Sequence, residues 1–326
     1  MKKLLVLVLV LLLMAGCSAN DEKDGTALHK VGVLQMMTHD ALDSDYQGFK
    51  DALKDRGYIE GENIVYDYQN PNNDASSMAT MANALVNSKP ELILAIGTAA
   101  AQSLTLETDT IPILGSAITD YVDTGLADSN EKPGRNISGC SDFMNMQTQM
   151  DLVETLVPDI KTIGILYSSG EENSYIQAVE MKDECARRNW TVVEKTISDL
   201  TMVNDTMMAF VGNIDALYIP TDNPLASSMA SVVIVSEEYD IPVITGWDGG
   251  VKDGALASVG VNYYNLGYKT GEYAADLIEG KVTISELPIY FMDHTIADIY
   301  YNSNTATKIN LELSSEITEK GIDLAQ

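Results

Sequence analysis

The sequence has few basic residues, and this shortage excludes several classes of function. It carries 20 lysines and arginines against 48 aspartates and glutamates, a formal net charge of -28 at pH 7. A surface this acidic repels nucleic acid and anionic lipid, so neither is expected as a partner. The chain contains no EF-hand loop and no tandem acidic repeat, so the acidic excess indicates a solvated surface, and no metal or cofactor is predicted.

Cysteine is also scarce, with only Cys17, Cys140 and Cys185 in the chain. Cys140 and Cys185 could pair in an oxidising compartment. One of them follows a predicted strand, however, and the other lies late in a predicted helix. This placement favours two isolated buried thiols.

Histidine is limited to His29, His39 and His294, and the common catalytic motifs are missing. No G-x-S-x-G elbow, H-E-x-x-H pair or GxxxxGK[ST] loop occurs, and no GxGxxG follows a strand. The sequence therefore has none of these motifs for nucleophilic catalysis, zinc binding or nucleotide binding. A hydrolase that uses two carboxylates stays open, because their separation in space is not visible in a sequence. We predict that the protein is not an enzyme.

No apolar run reaches the about 20 residues that a membrane-spanning helix needs. The run Leu4–Met14 follows Lys2 and Lys3 and ends before Ala15-Gly16-Cys17, which predicts an export signal over residues 1–17. Cys17 resembles the lipid acceptor of bacterial lipoproteins, which implies a lipid anchor on the outer face of the cell membrane. The alternative is an ordinary secretory signal. Residues 18–28 are polar and predict a flexible tether.

The rest of the chain predicts an α/β fold in two lobes. A hydrophobic content of 45% and 9 prolines indicate a globular body, and its about 300 residues exceed what one core usually supports. Short apolar runs such as Leu92–Ile96 and Thr162–Tyr167 alternate with helical patterns such as Ala75–Asn87, which is typical of parallel sheets.

We therefore predict two Rossmann-like lobes with parallel sheets, three hinge crossings and a ligand cleft between the lobes. The N-terminal lobe is assigned to residues 29–139 plus 263–284. The C-terminal lobe is assigned to residues 140–262 plus 285–326. In such sheets ligands bind beyond the carboxyl ends of the strands, so the loops at those ends are the candidates for a site.

Seven polar loops occur in order at or near these strand ends. They are Gln35–Asp43, Gly97–Gln102, Thr119-Asp120, Ser138–Asp142, Glu172–Ser174, Pro220–Asn223 and Gly260–Gly267. From about Lys30 to Gly280 the series resembles the ABC_sub_bind-type solute-binding lipoproteins, which are close in fold to the class I periplasmic binding proteins. The resemblance implies a closing cleft that delivers a small solute to an ABC permease, and some members of the family hold aromatic amino acids.

An amino-acid ligand needs donors for its carboxylate and an acceptor for its ammonium group. Gly97 and Thr98 lie where a strand enters a helix, so the free N–H groups there suit a carboxylate, although Thr98 could only cap its helix. Asp222 could cap the next helix or accept from an ammonium group, and we predict the ligand role. The resemblance also implies that Gln35, His39 and Asp43 line the site.

Further candidates lie in the remaining loops. Thr119, Asp120 and Asp142 either contact the ligand or fix the hinge through backbone N–H groups. Asn173 and Ser174 begin a helix of the opposite lobe. Trp247 is predicted to stack on a planar ligand, although it could equally pack in the core or at the hinge. Other aromatic residues at loop ends, each of which could equally be core packing, are Tyr46, Phe143, Tyr175 and Tyr263.

Together these features predict an extracytoplasmic, lipid-anchored, monomeric receptor of an ABC importer. It captures a small amino acid, an aromatic one (Trp, Phe or Tyr), by cleft closure and passes it to ABC permease subunits. One alternative is a sensory lipoprotein that presents a bound solute to a membrane receptor kinase. Another is a receptor for a different small polar solute.

Overall fold

The computed structural model describes residues 28–292 and 298–325. The predicted signal peptide with Cys17 lies outside these residues, as does the predicted tether except for Leu28. No helix within the described ranges is both long enough and apolar enough to cross a membrane.

The first sheet has six strands, all parallel, in the order β11-β5-β4-β3-β1-β2. Its central strand β3 is buried along its whole length, because an all-parallel sheet is covered by helices on both faces. The strands are β1 (His29–Gln35), β2 (Ile64–Gln69), β3 (Leu92–Ile96), β4 (Ile113–Ile118), β5 (Ile137–Ser141) and β11 (Tyr290–Phe291).

The second sheet has seven strands in the order β13-β12-β10-β9-β8-β6-β7, parallel except for the antiparallel pair β10 and β12. Its short central strands are fully buried apolar segments. The strands are β6 (Thr162–Ser168), β7 (Thr191–Ile197), β8 (Ala216–Ile219), β9 (Val243–Thr245), β10 (Ala257–Val259), β12 (Ile299–Tyr301) and β13 (Ile322–Asp323).

Helices connect the strands of both sheets and complete the α/β layers. Short 3-10 turns occur at Leu200–Met202 and Ile284–Glu286. The α-helices are α1 (Asp40–Asp55), α2 (Ala75–Asn87), α3 (Thr98–Glu107), α4 (Met146–Leu156), α5 (Glu172–Arg187), α6 (Val203–Met208), α7 (Asn223–Ala226), α8 (Met229–Glu238), α9 (Asp248–Lys252), α10 (Tyr263–Ile278), α11 (Ser303–Lys308) and α12 (Ser315–Lys320).

The strand order makes the chain pass between the two sheets three times. It does so after Ser141, after Val259, and between Phe291 and Ile299. The α/β fold with two parallel-dominated sheets and three crossings is therefore confirmed. Two predicted lobe boundaries need correction: β5 continues past the predicted break at 139/140, and β11 lies beyond the predicted break at 284/285 but pairs with β5 in the first sheet.

Helices α1 and α10 pack closely against each other beside the first sheet. A Cβ atom added to Gly267 of α10 would lie 1.8 Å from the carbonyl oxygen of Asp45, and one added to Gly48 of α1 would lie 2.1 Å from the carbonyl oxygen of Tyr264. Glycine is needed at both positions because the two backbones approach so closely. This contact holds the first residues of α1 and α10 near each other.

Cys140 and Cys185 are both free and buried, as predicted. Cys140 lies in β5, and the Sγ atom of Cys185 lies 3.9 Å from the Sδ atom of Met150. Burial raises the pKa of each thiol to about 12, so neither is a reactive thiolate at neutral pH.

Candidate functional site

A small cavity of about 20 Å³ lies between the two sheets at the carboxyl ends of their strands. Loops from both sheets and the first turns of α1, α5, α7 and α10 contribute to it. The position is the one where ligands bind open α/β sheets. The residues that line it are His39, Ala41, Leu42, Ala117, Asp142, Asn173, Thr221, Asp222, Asn223, Ala226, Trp247 and Tyr263.

The wall from the first sheet, formed by His39, Ala41, Leu42 and Ala117, is mainly apolar but presents the beginning of α1. His39 is the N-cap residue of this helix, and no side chain caps the helix there. The first helical bond runs from the N–H of Asp43 to the carbonyl of His39. The preceding N–H groups therefore have no partner within the helix, and with the positive end of its dipole they suit a carboxylate.

Ala117 enters this wall through an irregularity of β4. The register between β4 and β5 shifts between Gly115 and Ile118, and Ala117 has a positive φ of 56°. A left-handed backbone is unfavourable for alanine, so the surrounding structure must hold it in place. The bulge brings a small side chain to the cavity surface.

The wall from the second sheet, formed by Asn173, Thr221, Asp222 and Asn223, is polar and bonded to itself. The Asn173 amide donates to the carbonyl of Thr221 at 2.8 Å. The Ser174 hydroxyl, just behind the wall, lies 2.9 Å from the same carbonyl and shares its one proton between this oxygen and Asp222. The Gln177 amide, also behind the wall, bonds the Thr221 hydroxyl. These groups satisfy one another before any ligand enters.

Asp222 is 2% exposed and receives four hydrogen bonds. The donors are the N–H and hydroxyl of Ser168 at 2.6 and 2.8 Å, the Ser174 hydroxyl at 2.9 Å and the N–H of Leu225 at 2.9 Å. A carboxylate has about four acceptor positions, so this set fills them. Burial raises the pKa of Asp222, and the bonds from Ser168, Leu225 and Ser174 oppose that rise.

Asp142 is 5% exposed and receives only two side-chain hydrogen bonds. The Thr119 hydroxyl donates to one carboxylate oxygen at 3.0 Å, and the Tyr263 hydroxyl donates to the other at 2.8 Å. The N–H of Asp142 also bonds the carboxylate, and an acceptor position still remains open. Burial raises the pKa of Asp142, and the Tyr263 and Thr119 hydroxyls oppose the rise. A cation beside it would stabilise the ionised form.

The cavity lining contains Asp142 and Asp222 but no lysine or arginine. The nearby Lys252 is engaged by Asp248 at 3.5 Å. An anionic group of a ligand must therefore be held by neutral donors, and a cationic group meets a carboxylate. This arrangement fits a zwitterion better than a dicarboxylate.

The twelve predicted ligand-binding residues divide into three groups. Those that line the cavity are His39, Asp142, Asn173, Asp222 and Trp247. Those that lie behind the lining and bond to it are Thr119 and Ser174. Those that do not line it are Gln35, Asp43, Gly97, Thr98 and Asp120.

The residues of the third group are occupied elsewhere. The Gln35 amide donates to Asp43 at 2.6 Å, and Asp43 is exposed. Asp120 accepts from the N–H groups of Val122 and Asp123 and so closes its own turn. Gly97 and Thr98, at the start of α3, do not line the cavity, whereas the start of α1 does, and the carboxylate-binding role of Gly97 and Thr98 stays a prediction.

Several lining residues were missed by the sequence-based selection. Ala41, Leu42, Ala117 and Ala226 carry no chemical signal, since small apolar residues are common everywhere. Thr221 and Asn223 belong to the polar loop Pro220–Asn223 and could have been found there. Tyr263 was predicted only as one of several possible aromatic contacts.

Residues 30–323 match the model of the family described as ABC transporter substrate binding protein. This chain belongs to that family. Its members and the relatives below are solute-binding proteins, so the prediction that this protein is not an enzyme is confirmed.

Three relatives cover nearly all of the chain. The "Tyrosine-binding protein" of Clostridioides difficile (strain R20291) is 40% identical over 95% of this chain and 93% of its own length. A Streptococcus pneumonia ABC domain solved in complex with L-Trp is 30% identical, covers 91% of this chain and 99% of its own, and has a TM-score of 0.87. A ligand-free, open substrate-binding protein with adhesive properties from Clostridium difficile is 38% identical, covers 92% and 100%, and has a TM-score of 0.71.

Proposed function

We propose that this protein captures a zwitterionic aromatic amino acid, tyrosine, and delivers it to an ABC importer. One observation carries the proposal: the cavity lining combines a helix start without a capping side chain and a buried carboxylate, Asp142, that can still accept a hydrogen bond. The tyrosine-binding relative and the L-Trp complex of another relative support the aromatic class.

In this proposal each end of the ligand has its own partner. Asp142 accepts from the ammonium group, and the N–H groups at the start of α1 bind the carboxylate. The rings of Trp247 and Tyr263 give apolar contact to the ligand ring. Asp222, which the sequence assigned to the ammonium group, instead holds the wall of the second sheet in shape because its acceptor positions are filled.

Closure of the two lobes over the ligand is part of the proposal. It is supported by a hydrogen bond between the two lobes, in which the hydroxyls of Thr119 and Thr221 lie 3.3 Å apart. The open, ligand-free relative supports the existence of a second arrangement. We further propose an extracytoplasmic monomer, anchored through lipid on Cys17, that docks on ABC permease subunits.

Calorimetric titration with each of the twenty amino acids tests the ligand class. We expect tyrosine to bind most tightly, phenylalanine and tryptophan to bind more weakly, and glutamate and aspartate to give no heat, because the cavity offers no cation for a second carboxylate. Absence of binding across the three aromatic amino acids would refute the proposal.

A further inference from the structure

Three residues connect the two lobes at one edge of the cavity. The Nε2 atom of His39, just before α1, lies 3.1 Å from the Oδ1 atom of Asn223, at the start of α7. The Nδ2 atom of Asn223 donates to the Oε2 atom of Glu171 at 2.7 Å, and the N–H of Asn223 lies 3.4 Å from the same oxygen. His39, Asn223 and Glu171 are called the latch below.

The residue types of the latch determine which atoms donate and which accept the hydrogen bonds. Glu171 is 4% exposed and, when ionised, can only accept hydrogen bonds, so the amide of Asn223 must present its NH₂ to Glu171. Its carbonyl oxygen then faces His39, which must donate from Nε2. An ionised Glu171 therefore orients the side-chain amide of Asn223, whose oxygen contacts His39 of the opposite lobe.

The latch also separates two spaces. His39 and Asn223 line the ligand cavity. Glu171 lines an open groove of about 900 Å³ between the lobes, as do Thr38, next to His39, and Pro224, next to Asn223. A ligand that leaves the cavity toward this groove has to pass the contact between His39 and Asn223.

We infer that the latch is a gate on the ligand cavity, in which Glu171 is the positioning residue that holds Asn223 against His39 and slows ligand release. The inference rests on the proposed function and adds to it a release route and residues that control the rate. Since an ionised acceptor makes these hydrogen bonds stronger than a neutral carboxyl does, the gate is expected to weaken when Glu171 takes up a proton.

The surroundings of the latch set the pH at which this happens. Burial and the neighbouring Asp222 raise the pKa of Glu171 to about 7, while bonds from Asn223 and Asn173 oppose the rise. Burial lowers the pKa of His39, and Asn223, Asp43 and Asp40 oppose that change. Protonated histidine still donates from Nε2, so Glu171 is the group whose titration opens the gate.

The test is the dissociation rate of radiolabelled tyrosine from the full chain, chased with unlabelled tyrosine. Glu171→Gln should release tyrosine about tenfold faster than wild type at pH 8, as expected for loss of one charge-assisted hydrogen bond. The difference should shrink at pH 6, where wild type is also protonated. The control Glu172→Gln removes the same charge at an exposed neighbour that bonds Gln102 across the lobes, and should stay within about twofold.

Equal release rates for wild type and Glu171→Gln at pH 8 would overturn the inference, and so would an equal effect of Glu172→Gln. A second measurement does not need the ligand. Hydrogen exchange of residues 38–42 and 221–227 should be faster in Glu171→Gln than in wild type at pH 8, and unchanged exchange counts against the gate. If wild type binds no aromatic amino acid, the proposed function fails, and the gate is judged on exchange alone.

Discussion

The two walls of the cavity differ in how their polar groups are occupied. The polar groups of the second wall already have protein partners. Asn173 is bonded to Thr221, and Thr221 and Asp222 are bonded to Gln177 and Ser174 behind them. The wall of the first sheet is incomplete, because the start of α1 has no capping side chain. Polar groups without partners need a ligand, whereas satisfied groups shape the space around it.

The same difference separates the two carboxylates of the cavity. Asp142 and Asp222 are both buried, and burial raises the pKa of both. Their donors distinguish them: Asp222 accepts from two hydroxyls and from the N–H groups of Ser168 and Leu225, whereas Asp142 accepts from two hydroxyls and its own N–H. Counting the donors on each acceptor is thus a better guide to ligand binding than burial.

The largest effect on affinity is expected for Asp142→Asn. The amide keeps the shape of the side chain but removes the charge that holds the ammonium group, so tyrosine binding should weaken by about 2–5 kcal/mol in calorimetry. Asp120→Asn is the control, since Asp120 accepts only from its own turn and should bind tyrosine as wild type does. Wild-type affinity in Asp142→Asn would place the ammonium group elsewhere.

A second prediction concerns the support of the first wall. Gly267→Ala puts a methyl group against the Asp45 carbonyl and should separate α10 from α1, lowering the free energy of unfolding by about 3 kcal/mol. Denaturant titration measures this. Gly170→Ala is the control, because a Cβ there meets no atom within 4 Å. A loss in Gly267→Ala no greater than in Gly170→Ala would show that the helix contact can relax.

Asp222→Ala should lower stability more than affinity. It removes a helix cap and leaves buried hydroxyl and N–H donors without an acceptor, at a cost of about 2 kcal/mol in the free energy of unfolding. Asp74→Ala is the matched control: Asp74 caps α2 with a bond to the N–H of Ser77 at 2.7 Å but is exposed. The comparison of the walls fails if Asp222→Ala weakens tyrosine binding as much as Asp142→Asn does.

The smallest effect, taken per pH unit, is a pH dependence of stability from Asp45, which lies in α1 behind the first wall. Burial raises the pKa of Asp45 to about 8, with a bond from Ser116 opposing it. Between about pH 4 and pH 8 the folded protein keeps a proton that the unfolded chain has lost, so stability falls as pH rises, by about 1 kcal/mol per pH unit. Asp45→Asn should remove that slope in denaturant titrations; an unchanged slope would assign it to another group.

Much of the fold could be predicted because its signals are local. The bounds of Leu92–Ile96 and Ala75–Asn87 match the structure, since a buried strand is a continuous apolar run and a helix repeats every 3.6 residues. The sequence does not predict strand β5, because Ile137–Ser141 consists mostly of small residues with little apolar character. Its burial depends on neighbouring strands, which a local pattern does not show.

The site could be predicted only in part, because its decisive properties are tertiary. Each strand end carries polar residues that suit a ligand, and Asp222 within Thr-Asp-Asn-Pro has the pattern of a ligand residue and of a cap alike. Which helix start faces the cavity, and which carboxylate already has its donors, depends on contacts such as those from Ser168 and Ser174 to Asp222. The spacing of residues along the sequence does not reveal these contacts.

Trp247 has a practical consequence. It is one of only two tryptophans in the chain, it is 3% exposed and it lines the cavity. The other, Trp190, lies beside the Arg188 guanidinium, 5.3 Å from the ring centroid, away from the lining residues. Indole emission responds to the polarity around the ring, so in Trp190→Phe the remaining fluorescence comes from the cavity alone. The fluorescence of that variant therefore reports whether a ligand occupies the cavity, without any added dye.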